Sequence, residues 1–99
     1  SGPMALTSTQ RLVDAGAVNV DRSITEIETT GAAAITLADG EQGLCKYLAM
    51  VISAGAATLT PANLSGGTTI TFNNVGDTAK LTFVNGAWTV ESLNGAVLA

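Results

Sequence analysis

Histidine is absent from this chain. That removes the side chain most often used as a general base or metal ligand near neutral pH. Ser-His-Asp and Cys-His nucleophilic schemes therefore cannot be assembled from it. The one thiol, Cys45, opens an apolar run beside Lys46. It reads as a small buried hydrophobe rather than a reactive group, with Lys46 on the opposite strand face. Glu26 and Glu28 are two apart and share a strand face. Asp39 and Glu41 flank a glycine turn. Paired carboxylates cleave glycosides only across a cleft, and no Ca²⁺-loop spacing occurs, so these four read as solvated face and turn residues. The stretch Gly40-Glu-Gln-Gly43-Leu-Cys-Lys46 lacks both the Gly–Lys spacing and the following hydroxyl of a phosphate loop. Asn63-Leu64-Ser65 has the form of a glycosylation sequon, which matters only in a secreted protein. Trp88 sits beside a tight turn and reads as a core anchor. The expectation is a protein that is not an enzyme and has no cofactor or metal.

The bulk numbers point to packing instead. The chain has 99 residues, enough for one domain. Hydrophobic residues make up 46% and charged residues 12%. That charge is about half of what a soluble domain usually carries, which implies that part of the surface faces another chain. The four basic residues (Arg11, Arg22, Lys46, Lys80) are scattered and the net charge is −4, so nucleic acid is not an expected partner. With one cysteine there is no intrachain disulfide. The longest apolar run, Tyr47 to Ile52, is too short to span a bilayer, so no membrane partner is expected. No secretory signal is read, and synthesis in a cytoplasm is expected.

The elements that would position these residues are strands. Ser1-Gly2-Pro3 reads as a cloning scar, and Met4 as the natural start of a complete short product. Residues 4–22 have irregularly spaced apolar positions and read as an extended N-terminal arm, with a short helix over 8–14 as the alternative. From 23 to 99, β-rich runs alternate with Gly, Asn, Asp and Pro punctuation every 7–12 residues. This predicts an all-β domain, a compact antiparallel sandwich or barrel of about seven or eight short strands. An apolar–Thr–apolar tripeptide recurs at Ile35–Leu37, Ile70–Phe72, Leu81–Phe83 and Trp88–Val90. It puts two apolar residues on one face and Thr on the other, although the spacing is too irregular for a solenoid. Asn85-Gly86 predicts a type I′ hairpin. From Tyr47 to Ile52 both faces are apolar, which suits either a central strand or a subunit interface.

The segment from Thr30 to Gly40, then Gly43 and Lys46 leading into Ala49–Ile52, resembles short structural proteins of marine tailed bacteriophages. So do Ala57–Leu64, Gly66–Phe72, Val75-Gly76-Asp77, Leu81–Phe83, Asn85–Trp88 and Asn94-Gly95-Ala96. The resemblance implies a virion component. The expected function is a homotrimeric capsid decoration protein that binds neighbouring subunits of the major capsid protein and stabilises the shell. The alternative is a fibre-tip or spike module binding a host-surface glycan through Trp88, Tyr47 and the Asn-rich loops. The expected subunit interface is Tyr47, Leu48, Met50, Val51 and Ile52. The expected capsid-contacting arm includes Leu6, Arg11, Leu12 and Val13.

Overall fold

A computed structural model describes residues 9–20 and 23–99. Their strands are β1 (Thr9–Val13), β2 (Gly16–Val18), β3 (Ile24–Thr29), β4 (Ala33–Leu37), β5 (Cys45–Ser53), β6 (Ala57–Pro61), β7 (Ile70–Phe72), β8 (Thr78–Val84), β9 (Ala87–Asn94) and β10 (Val97–Leu98). Sheet A has the order β1-β3-β5-β8-β9, and sheet B the order β10-β7-β6-β4-β2. The two orders run in step. Each strand of sheet A sits in one layer with the strand of sheet B next to it in sequence, so the chain forms five stacked layers.

The all-β expectation holds, with ten short strands among the described residues. The sheets are mixed rather than antiparallel. Each of the first three layers winds from sheet A across a corner into sheet B, so β1, β3 and β5 are mutually parallel, as are β2, β4 and β6. The fourth layer enters from sheet B, and from there every strand-to-strand pairing is antiparallel, with isolated parallel bridges at Leu64–Trp88 and Thr78–Gly95. Three short solenoid-like turns therefore lead into a β-meander, which the uneven loop lengths conceal in the sequence.

Residues 9–13 and 16–18, read as part of an arm, are strands of sheets A and B; no helix forms at 9–14. Leu12 turns inward against the core, and Val18 is buried in it. Leu6 lies outside the described residues.

The period-2 alternation builds the core. Ile27, Leu48, Met50, Leu81 and Trp88 point inward from sheet A, and Ile35, Leu37, Leu59, Ile70 and Phe72 point inward from sheet B. The threonines between them face outward or are half-buried, as the tripeptide pattern requires. Phe83 and Trp88 pack edge to face, with ring centroids 5.2 Å apart. Asn85 and Gly86 take φ of 54° and 78°, as a type I′ turn demands.

The corners stack as well. The Asp14 carboxylate accepts the Thr30 N–H at 2.7 Å and its hydroxyl at 2.8 Å. The Thr29 hydroxyl donates to the Gly55 carbonyl at 2.7 Å. A side chain at Gly55 would run into the Gly31 backbone, so this close approach of two corners needs glycine. Further along, Asp77 Oδ2 accepts the N–H groups of Asn73 and Asn74 at 2.8 and 3.0 Å.

Candidate functional site

Two places merit scrutiny. The first is a cavity of about 590 Å³ lined by Val20, Asp39, Gly40, Glu41, Gln42, Gly43 and Leu44. The loop between β4 and β5 makes nearly all of it. Its residues are held from outside. Asn63 Nδ2 donates to both oxygens of Asp39 at 2.9 and 3.0 Å. Gln42 Oε1 accepts the Asn85 N–H at 3.0 Å. A side chain on Gly40 would press on Leu44 and the Trp88 ring, so the glycine lets the indole pack beneath this loop. Asp39 and Glu41 do share this hollow, where they can accept hydrogen bonds from hydroxyls or attract a cation. Among the described residues, no group of three or more Cys, Asp or Glu side chains is placed to hold a metal ion.

The second place is the outer face of sheet A. Its rows follow the strand register: Thr9, Ile24, Tyr47 and Lys80 in one, Arg11, Glu26, Ala49 and Thr78 in the next, then Val13, Glu28 and Ile52. Three large apolar side chains stand out from it, Val13 (49% exposed), Tyr47 (40%) and Ile52 (45%). Ion pairs flank them. Arg11 reaches Glu26 at 3.3 Å and Glu28 at 2.9 Å on the β1–β3 side. Lys80 lies 4.0 Å from Glu91 on the β8–β9 side. Such exposed pairs add little to folding stability, so their placement is of more interest than their energy.

The expected interface strand divides between core and surface. Leu48 and Met50 are core residues of this chain, 0% and 1% exposed. Tyr47 faces out, and Val51 is half-buried. Ile52 does not follow Leu48 and Met50 inward. The register slips by one residue where Ile27 pairs with Met50 and Glu28 with Ile52, so Val51 is an extra residue and Ile52 emerges on the outer face. The strand is thus buried on one face only.

Cys45 is exposed rather than buried, its Sγ 3.6 Å from the Thr82 hydroxyl and 3.7 Å from the Gly43 carbonyl. Lys46 is buried instead and has a polar partner. The phase of the strand explains both. Leu48 and Met50 must face the core, and residues two apart share a face, so Lys46 goes in and Cys45 goes out. Trp88 is fully buried and donates its indole N–H to the Ala38 carbonyl at 2.9 Å. It is a core anchor and presents no ring face to a sugar.

Of the expected arm residues, Arg11 and Val13 lie on the outer face of sheet A and Leu12 packs inward. Sequence reasoning gave no role to Gln10. Its Nε2 donates to the Ala17 carbonyl at 3.0 Å, and its Oε1 accepts the Asn19 N–H at 3.0 Å and the Thr25 hydroxyl at 2.9 Å. One side chain ties both sheets together across the first layer. The available signal was its place two residues before Leu12, which puts the two side chains on one strand face. Compared with protein-family models and with curated proteins, the chain matches none.

Proposed function

We propose that this chain is a virion structural protein of a tailed phage, a homotrimeric capsid decoration protein that stabilises the shell by bridging subunits of the major capsid protein. The observation that carries the reading is the outer face of sheet A, where Val13, Tyr47 and Ile52 stand exposed on a sheet whose opposite side is a closed core. Exposed apolar groups rimmed by charge suit a contact surface. The rigid core suits a protein that works by shape: no buried side-chain polar atom among the described residues lacks a hydrogen-bond partner. The resemblance over residues 30–96 supplies the virion setting.

The test is binding to expanded capsid shells of the phage that encodes it, prepared without decoration protein. Saturable co-sedimentation and a higher shell melting temperature are expected. Shells that neither retain the chain nor gain heat stability would overturn the proposal.

A further inference from the structure

We infer that Asn85 is a site of self-modification: attack by the Gly86 nitrogen converts its side-chain amide to an acid, while the fold protects the equivalent pair Asn94-Gly95. The inference is independent of the capsid reading.

The chain holds two Asn-Gly pairs in nearly the same local sequence, Val84-Asn85-Gly86-Ala87 and Leu93-Asn94-Gly95-Ala96. Glycine has no side chain to hinder ring closure, so both are primed and the sequence does not rank them. The reaction starts when hydroxide removes the glycine amide proton. That nitrogen attacks Asn Cγ and the N–Cγ bond forms. The Cγ–Nδ2 bond breaks as Nδ2 takes a proton from water and leaves as ammonia. Water then opens the five-membered imide at one carbonyl or the other, leaving aspartate or isoaspartate. Both asparagines are exposed, so access to solvent does not rank them either.

Their main-chain surroundings do. Asn85 and Gly86 are the two central residues of the β8–β9 turn and have no cross-strand partner. Gly86 has open space where a side chain would stand, and its N–H has no main-chain acceptor among the described residues. The nitrogen is therefore free to lose its proton, and the 85–86 peptide is free to turn.

The second pair differs on both counts. Leu93 pairs with Ala79, Gly95 bridges to Thr78 and Ala96 is buried, so the 94–95 peptide is held from both sides. The Asp77 carboxylate also lies against Gly95, so close that a side chain there would run into Oδ1. That carboxylate is fixed in place, because its Oδ2 accepts the Asn73 and Asn74 N–H groups. A like charge disfavours a second anion beside it, which lowers the ionised fraction of the Gly95 nitrogen about tenfold or more.

The products differ in fit. Asp-Gly suits a type I′ turn as Asn-Gly does, so aspartate keeps the hairpin. Isoaspartate adds a carbon to the main chain of a two-residue loop and does not. Either product places a new carboxylate beside the loop that carries Asp39 and Glu41, since the Asn85 N–H donates to Gln42 Oε1 at 3.0 Å.

The experiment is incubation of the full chain at mildly alkaline pH, with and without concentrated urea, followed by mass spectrometry. Cleavage after Glu91 puts the two pairs in separate peptides, and fragmentation locates the amide-to-acid mass gain. In the folded chain, conversion at Asn85 is expected to outpace that at Asn94 by at least about tenfold, as the charge argument requires. In urea the two rates should come together. Asn85→Asp should melt like the wild type, whereas isolated isoaspartyl protein should melt lower. Equal native rates, or a faster Asn94, would overturn the inference. So would a native Asn85 that stays intact while the unfolded chain is converted, or a preference for Asn85 that persists in urea.

Discussion

The two ends of the layered stack close the same core by different means. At the β9 end stands Trp88, the largest buried side chain, and the 63–65 segment pairs with its backbone through Trp88 N–H to Asn63 O at 3.0 Å and Ser65 N–H to Trp88 O at 2.8 Å. At the β1 end stands Gln10, whose amide bridges β2 and β3. A stack of strands always has two terminal layers with main-chain groups turned outward. Here one end is closed by apolar bulk under a covering loop, and the other by a polar clasp within the layer itself. The first should account for much more stability than the second, because burial scales with apolar area whereas a net hydrogen bond contributes only about 1 kcal/mol.

Trp88→Ala should therefore be the most damaging change. It removes the aromatic floor beneath Gly40 and Leu44, the edge-to-face contact with Phe83 and the indole bond to Ala38. A loss of about 3–5 kcal/mol is expected, enough to unfold much of a domain this small, measured as the shift in urea midpoint at constant slope. A loss below about 1 kcal/mol would show that the loop, not the indole, closes that end.

Between the ends, the corner at Gly55 tests the stack itself. Gly55→Val must push a side chain into the Gly31 backbone and separate the second and third layers. A cost of about 1–3 kcal/mol is expected from the overpacking. Of the smaller changes, Gly55→Ala already puts its methyl against the Gly31 backbone, whereas Gly31→Ala has open space around its methyl and should cost distinctly less than Gly55→Ala. Thermal melts of the two variants, run side by side, provide the contrast.

Gln10→Ala should fall below Trp88→Ala and Gly55→Val. It leaves the Ala17 carbonyl and the Asn19 N–H to water and the Thr25 hydroxyl without this acceptor, for an expected loss of about 1–2 kcal/mol. Hydrogen exchange should report the change locally, as faster exchange in β1 and β2 with β8 and β9 unaltered. Uniform acceleration across the chain would mean that the first layer is part of the global folding unit.

This contrast also marks what the sequence made legible. Strands of the second half announce themselves because turn residues and strict alternation agree there: Leu81 and Phe83 on one face, Asn85-Gly86 between the strands, Trp88 opposite Phe83. Alternation reports which residues share a face, but not whether the neighbouring strand is parallel, so the winding of the first three layers left no local trace. The same limit hid the bulge at Val51, because an extra residue in an all-apolar run does not disturb its composition. Cys45 was misplaced for a related reason. Residue type was weighed singly, whereas Leu48 and Met50 together set the phase of the whole strand. For the candidate site, the run containing Tyr47 and Ile52 was legible, and its division into core and surface was not. The ion pairs on the flanks join Arg11 to residues 15 and 17 positions away and depend on parallel pairing, which only the fold supplies.

The smallest effect belongs to the corner that joins the first layer to the second. The Asp14 carboxyl is held below its ordinary value of 3.8, first by the Thr30 backbone N–H, then by the Thr30 hydroxyl, with slight desolvation opposing. Both bonds favour the charged form, so the folded state binds this proton less readily than the unfolded chain does. The stabilisation is therefore fully present above the unfolded value and fades as pH falls through the folded one. Asp14→Asn keeps the shape of the side chain but removes the charge and one acceptor. Wild type should exceed the variant in melting temperature near neutral pH, and the gap should narrow below about pH 4. Asp14 is also, with Asn85, one of two non-glycine residues with positive φ among the described residues, at 59°. Asparagine tolerates that conformation well, so the backbone contribution cancels between the two proteins and the pH-dependent difference isolates the Thr30 bonds. A gap that stays constant from pH 7 to pH 3 would show that the corner is fixed by its backbone and not by the carboxylate.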